Sequence, residues 1–104
     1  MSASLNVNTK LVAAAATPEV LGAASILFNN IQFIAENAVG VSNTGNITIQ
    51  LKNPSGTFTD AKVIEPGQAY NWPAPAHGYF DASQFTIKAA QDGDGVRYIY
   101  SLSQ

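Results

Sequence analysis

Near the end of the chain, two runs of alternating apolar and polar residues flank the tetrapeptide Asp92-Gly93-Asp94-Gly95. Before it, Phe85, Ile87 and Ala89 alternate with Thr86, Lys88 and Ala90. After it, Val96, Tyr98, Tyr100 and Leu102 alternate with Arg97, Ile99 and Ser101. A side-chain period of two belongs to β-strands, and a Gly-rich turn between two such runs predicts a β-hairpin. With Gly93-Asp94 at the tip, Ala89 faces Tyr98, Ile87 faces Tyr100 and Phe85 faces Leu102, all on one face. A tip at Asp92-Gly93 keeps the faces but sets Lys88 opposite Arg97, and directly opposed like charges are unfavourable. The first register is therefore the expected one.

Similar punctuation divides the rest of the chain. Asn43-Thr44-Gly45-Asn46, Asn53-Pro54-Ser55-Gly56 and Glu65-Pro66-Gly67-Gln68 read as turns. In the last of these, Pro presets φ at the second position and Gly supplies positive φ at the third. Between the turns, residues 31–36, 47–51 and 69–72 read as strands, and Phe58–Ile64 as a short edge strand. Residues 23–28 form an apolar run without alternation, consistent with a buried strand. Residues 13–16 favour helix, but the residue before Pro18 is pushed toward extended conformations, leaving at most a helical turn over 18–21. Pro73 and Pro75 place 73–75 in a loop or at an edge.

The sum is seven or eight short strands at a spacing of about 8–12 residues, the pattern of an antiparallel sandwich or barrel. The expectation is an all-β chain: one antiparallel β-sandwich, immunoglobulin-like or jelly-roll-like, with an extended N-terminal arm or strand. At 104 residues the chain fits one domain, residues 1–104, and buries roughly two-thirds of its unfolded surface. Residues 1–25 form a candidate arm plus an Ala-rich segment. Leu5, Val7 and Leu11 there belong either to the first strand of the sandwich or to an arm reaching a neighbouring subunit.

Charged residues make up 12% of the chain, about half the usual share, so Asn, Gln, Ser, Thr, Ala and Gly must cover much of the surface. Such a surface suits burial in an assembly or a harsh exterior environment. Five cationic residues and a net charge of −2 argue against binding nucleic acid through phosphate neutralisation. Without cysteine there are no disulfides and no thiolate metal sites. No apolar run reaches the ~20 residues of a membrane helix, and the apolar stretch after Lys10 is short for a signal peptide.

Catalytic groupings are not apparent. His77 is the one histidine; it sits among Pro75, Ala76 and Gly78, and no Gly-x-Ser-x-Gly elbow accompanies it. The Asp-Gly repeat resembles a calcium loop, but two local carboxylates fall short of the six to eight oxygens calcium takes. No catalytic, cofactor or metal residue is therefore assigned. Aromatic residues offer a different chemistry. Tyr70 and Trp72 lie two apart and share a face, as core residues or as a glycan or partner contact; the core reading is preferred for Trp72. Tyr79 and Phe80 are adjacent, so in an extended segment one of them faces outward, a candidate interface with Leu5, Val7 and Leu11. Asn46-Ile47-Thr48 fits the N-glycosylation pattern but begins a strand and is read as coincidence.

From about residue 26 onward the chain resembles small β-sandwich structural and decoration proteins of tailed bacteriophages and prophages. The residues that carry the likeness are Asn43-Thr44-Gly45 before Ile47-Thr48-Ile49, then Ile64-Glu65-Pro66-Gly67-Gln68 before an aromatic strand ending at Trp72. Tyr79-Phe80-Asp81, Phe85-Thr86-Ile87 and Gly93-Asp94-Gly95-Val96-Arg97-Tyr98-Ile99-Tyr100 complete it. These are turn and strand signatures covering about three-quarters of the chain. The resemblance implies a non-enzymatic virion component made in the host cytoplasm: a capsid decoration, cement or head-auxiliary subunit. Its partners would be the major capsid protein or other virion proteins. It implies a homo-oligomer, a trimer favoured, without cofactor, nucleic acid or membrane. The alternatives are a head- or tail-fibre base domain, or a glycan-binding adhesion module.

Overall fold

A computed structural model describes residues 5–102. In chain order the strands are β1 (Asn6–Leu11), β2 (Glu19–Val20), β3 (Leu27–Phe28), β4 (Asn30–Ile34), β5 (Glu36–Ala38) and β6 (Val41–Ser42). They continue with β7 (Ile47–Lys52), β8 (Phe58–Ile64), β9 (Ala69–Trp72), β10 (Phe80–Asp81), β11 (Phe85–Ala89) and β12 (Gly95–Ser101). A 3-10 turn, Ala82–Gln84, precedes β11. Sheet I has the order β1-β12-β4-β9 and sheet II the order β2-β11-β7-β8; all their pairings are antiparallel. The short pairs β3–β10 and β5–β6 complete the structure. The chain is thus an all-β antiparallel sandwich.

Alternation places the core. Ile31, Phe33, Val96 and Tyr98 point inward from sheet I; Ile47, Ile49, Phe85, Ile87 and Ala89 point inward from sheet II. Phe85 sits at the centre, with ring centroids 5.6 Å from Phe28, 5.7 Å from Phe33, 5.5 Å from Phe80 and 5.2 Å from Trp72. Each such side chain contributes about 1.5–3 kcal/mol through burial, and tilted or edge-to-face aromatic pairs add to that.

The expected terminal hairpin is not formed. β11 pairs with β2 and β7, whereas β12 pairs with β1 and β4, so the Asp-Gly segment arches from one sheet to the other. The predicted inward set is right for Phe85, Ile87, Ala89, Val96 and Tyr98, all buried. Alternation reports the face of a strand and not its lateral neighbour, and an arch buries the same faces as a hairpin. Lys88 and Arg97, whose repulsion selected the hairpin register, lie on opposite outer surfaces. Lys88 is 3.7 Å from Asp60 on sheet II and Arg97 2.8 Å from Glu36 on sheet I.

Other elements also differ from expectation. No helical turn forms at residues 18–21; Glu19 and Val20 pair with Ile87 and Thr86 as the edge of sheet II. Only Leu27–Phe28 of the 23–28 run is strand, and Ala23, Ala24 and Ser25 are exposed. β8 is an edge strand, as expected, but seven residues long. The Glu65–Gln68 turn is as read: Gly67 has φ of 78° and Gln68 N–H donates to Glu65 C=O at 3.0 Å. β1 is the first strand of the sandwich. After it the Ala-rich segment crosses from sheet I to sheet II, with Ala16 N–H donating to Ala89 C=O at 2.8 Å.

Candidate functional site

The side chains of β1 are inverted relative to the sandwich. Asn6, Asn8 and Lys10 pair with Tyr100, Tyr98 and Val96, which face the core, so it is the polar residues of β1 that lie on the core side. Val7, Thr9 and Leu11 pair with Ile99, Arg97 and Gly95 on the outer face. Leu5, Val7 and Leu11 are accordingly 75%, 53% and 51% exposed. Across sheet I, one outward row runs Val7, Ile99, Gln32, Asn71 and the next Thr9, Arg97, Ile34, Ala69. The only charge in these rows is Arg97, and the Glu36 carboxylate neutralises it. The face is therefore apolar and amide-rich, and it carries no net charge.

Sheet II presents an outer face on which exposed Val20 and Val63 flank a polar and charged network. Thr86 Oγ1 donates to Gln50 Oε1 at 2.8 Å, Gln50 Nε2 donates to Asp60 at 2.7 Å, and Lys88 lies beside Asp60. Those polar groups satisfy one another, as on a solvated sheet surface.

At the sheet I end near Leu5 a groove of about 410 Å³ is lined by Gln32, Asn71, Ile99, Tyr100 and Trp72 among others. Amides and aromatic rings with no charge suit hydroxyl-rich or uncharged ligands. Tyr70 and Trp72 share a face, as their spacing predicts, and meet edge to face at 6.0 Å. Trp72 packs at right angles on Phe33 and Phe85, while Tyr70 lies beneath the Lys62 ammonium at 4.7 Å. Phe80 packs on Phe28 and Phe85, and its neighbour Tyr79 is 55% exposed. Tyr79 is not among the residues lining the groove, and His77 sits on an exposed loop. The structure thus brings Leu5 and Trp72 to one groove and aligns Leu5, Val7 and Leu11 along one edge.

Ile34, Ile99, Gln32 and Asn71 belong to this surface and were missed from sequence. A signal existed: Ile34 and Ile99 are apolar residues standing in the polar phase of their strands.

The Asp-Gly arch is held by buried polar groups. Asp94 is 2% exposed. Its carboxylate accepts from Gly45 N–H at 2.9 Å, from Thr44 N–H at 3.1 Å and from the Thr44 hydroxyl at 3.2 Å. Asn43 clasps Gly95 in both directions, donating to its C=O at 2.7 Å and accepting from its N–H at 3.1 Å. The Asn-Thr-Gly turn and the Gly-Asp-Gly segment, read separately in sequence, are one interlocked unit. Gly95 is demanded by close approach: a Cβ there would lie 2.3 Å from Lys10 C=O. Among the described residues no group of three or more metal-ligating side chains gathers.

Two titrations are displaced. Glu19 accepts from Ala13 N–H at 2.9 Å and from Lys10 at 3.0 Å, and both contacts hold its carboxyl below the ordinary value. Burial pushes the Tyr98 phenol up, a shift the neighbouring Asn8 amide partly offsets.

Comparison with family models, curated proteins and solved structures finds no match. Among the described residues no helix is long and apolar enough to cross a membrane.

Proposed function

We propose that this chain is a non-enzymatic structural subunit that docks through the outer face of sheet I onto an uncharged protein surface. The carrying observation is the inversion of β1, which turns Leu5, Val7 and Leu11 outward while Asn6, Asn8 and Lys10 take the core side. Exposing these apolar residues in the free protein forgoes burial worth about 25 cal/mol per Å², which a partner would recover. The low charge of the chain supports the same reading, since interface cores are depleted in charge. The resemblance of its turns to tailed-phage decoration proteins makes a virion shell the first partner to test. There the subunit would bind the assembled capsid and stabilise it by mass action.

The test is mass spectrometry of particles purified from a strain that carries the gene. The chain is expected in stoichiometric amounts, and lost from the particles in the Leu5→Ser, Val7→Ser, Leu11→Ser variant. Particles devoid of the wild-type chain would sink the reading. A second reading rests on the groove beside Trp72: its amides and rings fit a glycan. Binding on a glycan array that Asn71→Ala abolishes would favour it over docking.

A further inference from the structure

Four strands bound the two sheets, and three of them carry features that discourage another strand from adding. β8 bears Asp60 and Lys62 and an irregular register opposite Ile49 and Gln50. β9 is four residues long and runs directly into Pro73. β2 is two residues long and follows Pro18. β1 has none of these. It is six residues long, pairs with β12 without interruption and contains no proline. Its one charge, Lys10, is bound by Glu19 on the core side.

The hydrogen-bond phase of β1 follows from Val12, which donates to Asp94 C=O at 2.8 Å and accepts from Gly93 N–H at 2.9 Å. Antiparallel alternation then directs the backbone groups of Lys10 and Asn8 toward β12, and those of Val7, Thr9 and Leu11 toward the open edge.

We infer that a second copy of this chain occupies that edge, β1 against β1, antiparallel about a twofold axis normal to sheet I. Directly opposed residues share a face, so the two numbers of each pair must sum to an even value. Centring on Lys10 opposes two ammonium groups, which is unfavourable. Centring on Thr9 leaves Leu5 without a partner and makes the two Lys10 side chains diagonal neighbours. Centring on Asn8 pairs Val7 with Thr9, Leu5 with Leu11 and Asn6 with Lys10. It also sets the two lysines four residues apart, about 13 Å along the strands. The strand is self-complementary in that register. The dimer joins both copies of sheet I into one sheet whose outward stripe of Leu5, Val7, Leu11 and Ile99 is continuous. The pairing does not depend on what the outer face docks onto, and it is tested on the purified chain alone.

Analytical ultracentrifugation of the full chain should show a concentration-dependent dimer. Thr9→Pro removes an N–H that points to the open edge and spares the β12 ladder, so it should give a folded monomer. Asn8→Cys tests the register. The chain has no other cysteine, and residues in a non-hydrogen-bonded antiparallel pair lie ~4.5 Å apart at Cα, within disulfide range. Asn8→Cys should cross-link to a covalent dimer under mild oxidation, and Asn6→Cys should not. The inference is overturned by a monomer at about 1 mM, by a trimer or other oligomer that Thr9→Pro leaves intact, or by failure of Asn8→Cys to cross-link. Should Thr9→Pro not fold, the cysteine result decides.

Discussion

The buried carboxylate of Asp94 accepts the backbone N–H of Gly45 at 2.9 Å, joining the turn before β7 to the arch before β12. The two segments are 49 residues apart in sequence, and their contact closes one end of the sandwich. Asp94→Ala leaves the part-buried N–H groups of Thr44 and Gly45 without their acceptor. Charge-assisted hydrogen bonds and orphaned donors together put the loss at about 3 kcal/mol. In thermal unfolding that lowers Tm by on the order of 10–20 °C for a domain this size. An unchanged Tm would mean that the arch is held by its backbone alone.

Gly95→Ala tests the close approach of β1 to β12. The new methyl meets Lys10 C=O, a backbone atom that cannot rotate away. The expected cost is about 1–3 kcal/mol by urea titration. Amide exchange should increase selectively in β1, because the rest of sheet I pairs through β4.

Reading the chain by alternation recovers the inward sets of β4, β7, β11 and β12, because burial is written in the period of two. It misassigns the partner of β11 because pairing is decided elsewhere. Asp94 finds its donors at Thr44 and Gly45, and Gly95 admits the β1 backbone, facts no local pattern contains. The same limit applies to the candidate surface. Leu5, Val7 and Leu11 stand out in sequence as apolar residues in alternation. Whether they face the core or the solvent depends on the register of β1 against Tyr98 and Tyr100.

Glu19 makes the strap between β1 and β2 sensitive to acid. Its carboxyl is held below its ordinary value of 4.5, so the folded state binds this proton less readily than the unfolded one. The stability it contributes is present above pH 4.5 and lost as pH falls through the lower folded value. The difference in urea midpoint between wild type and Glu19→Gln should therefore be full at neutral pH and vanish in acid. A difference independent of pH would contradict the assignment.

Tyr98 acts in the opposite sense, at alkaline pH. Burial raises its pKa above 10.0, so its contribution is intact below pH 10.0 and lost as pH rises through the folded value. Wild type should lose stability above that pH more steeply than Tyr98→Phe, in parallel unfolding titrations monitored by fluorescence of Trp72.

Docking through the outer face of sheet I can be seen on whole particles. Cryo-electron microscopy of particles purified from a strain carrying the gene tests it most directly. Density is expected for the sandwich on the shell, with Val7, Ile34 and Ile99 turned toward the neighbouring protein and the Lys88–Asp60 face of sheet II in solvent. Shells without the chain, or a subunit bound through sheet II with Val7 and Ile99 facing solvent, would contradict it.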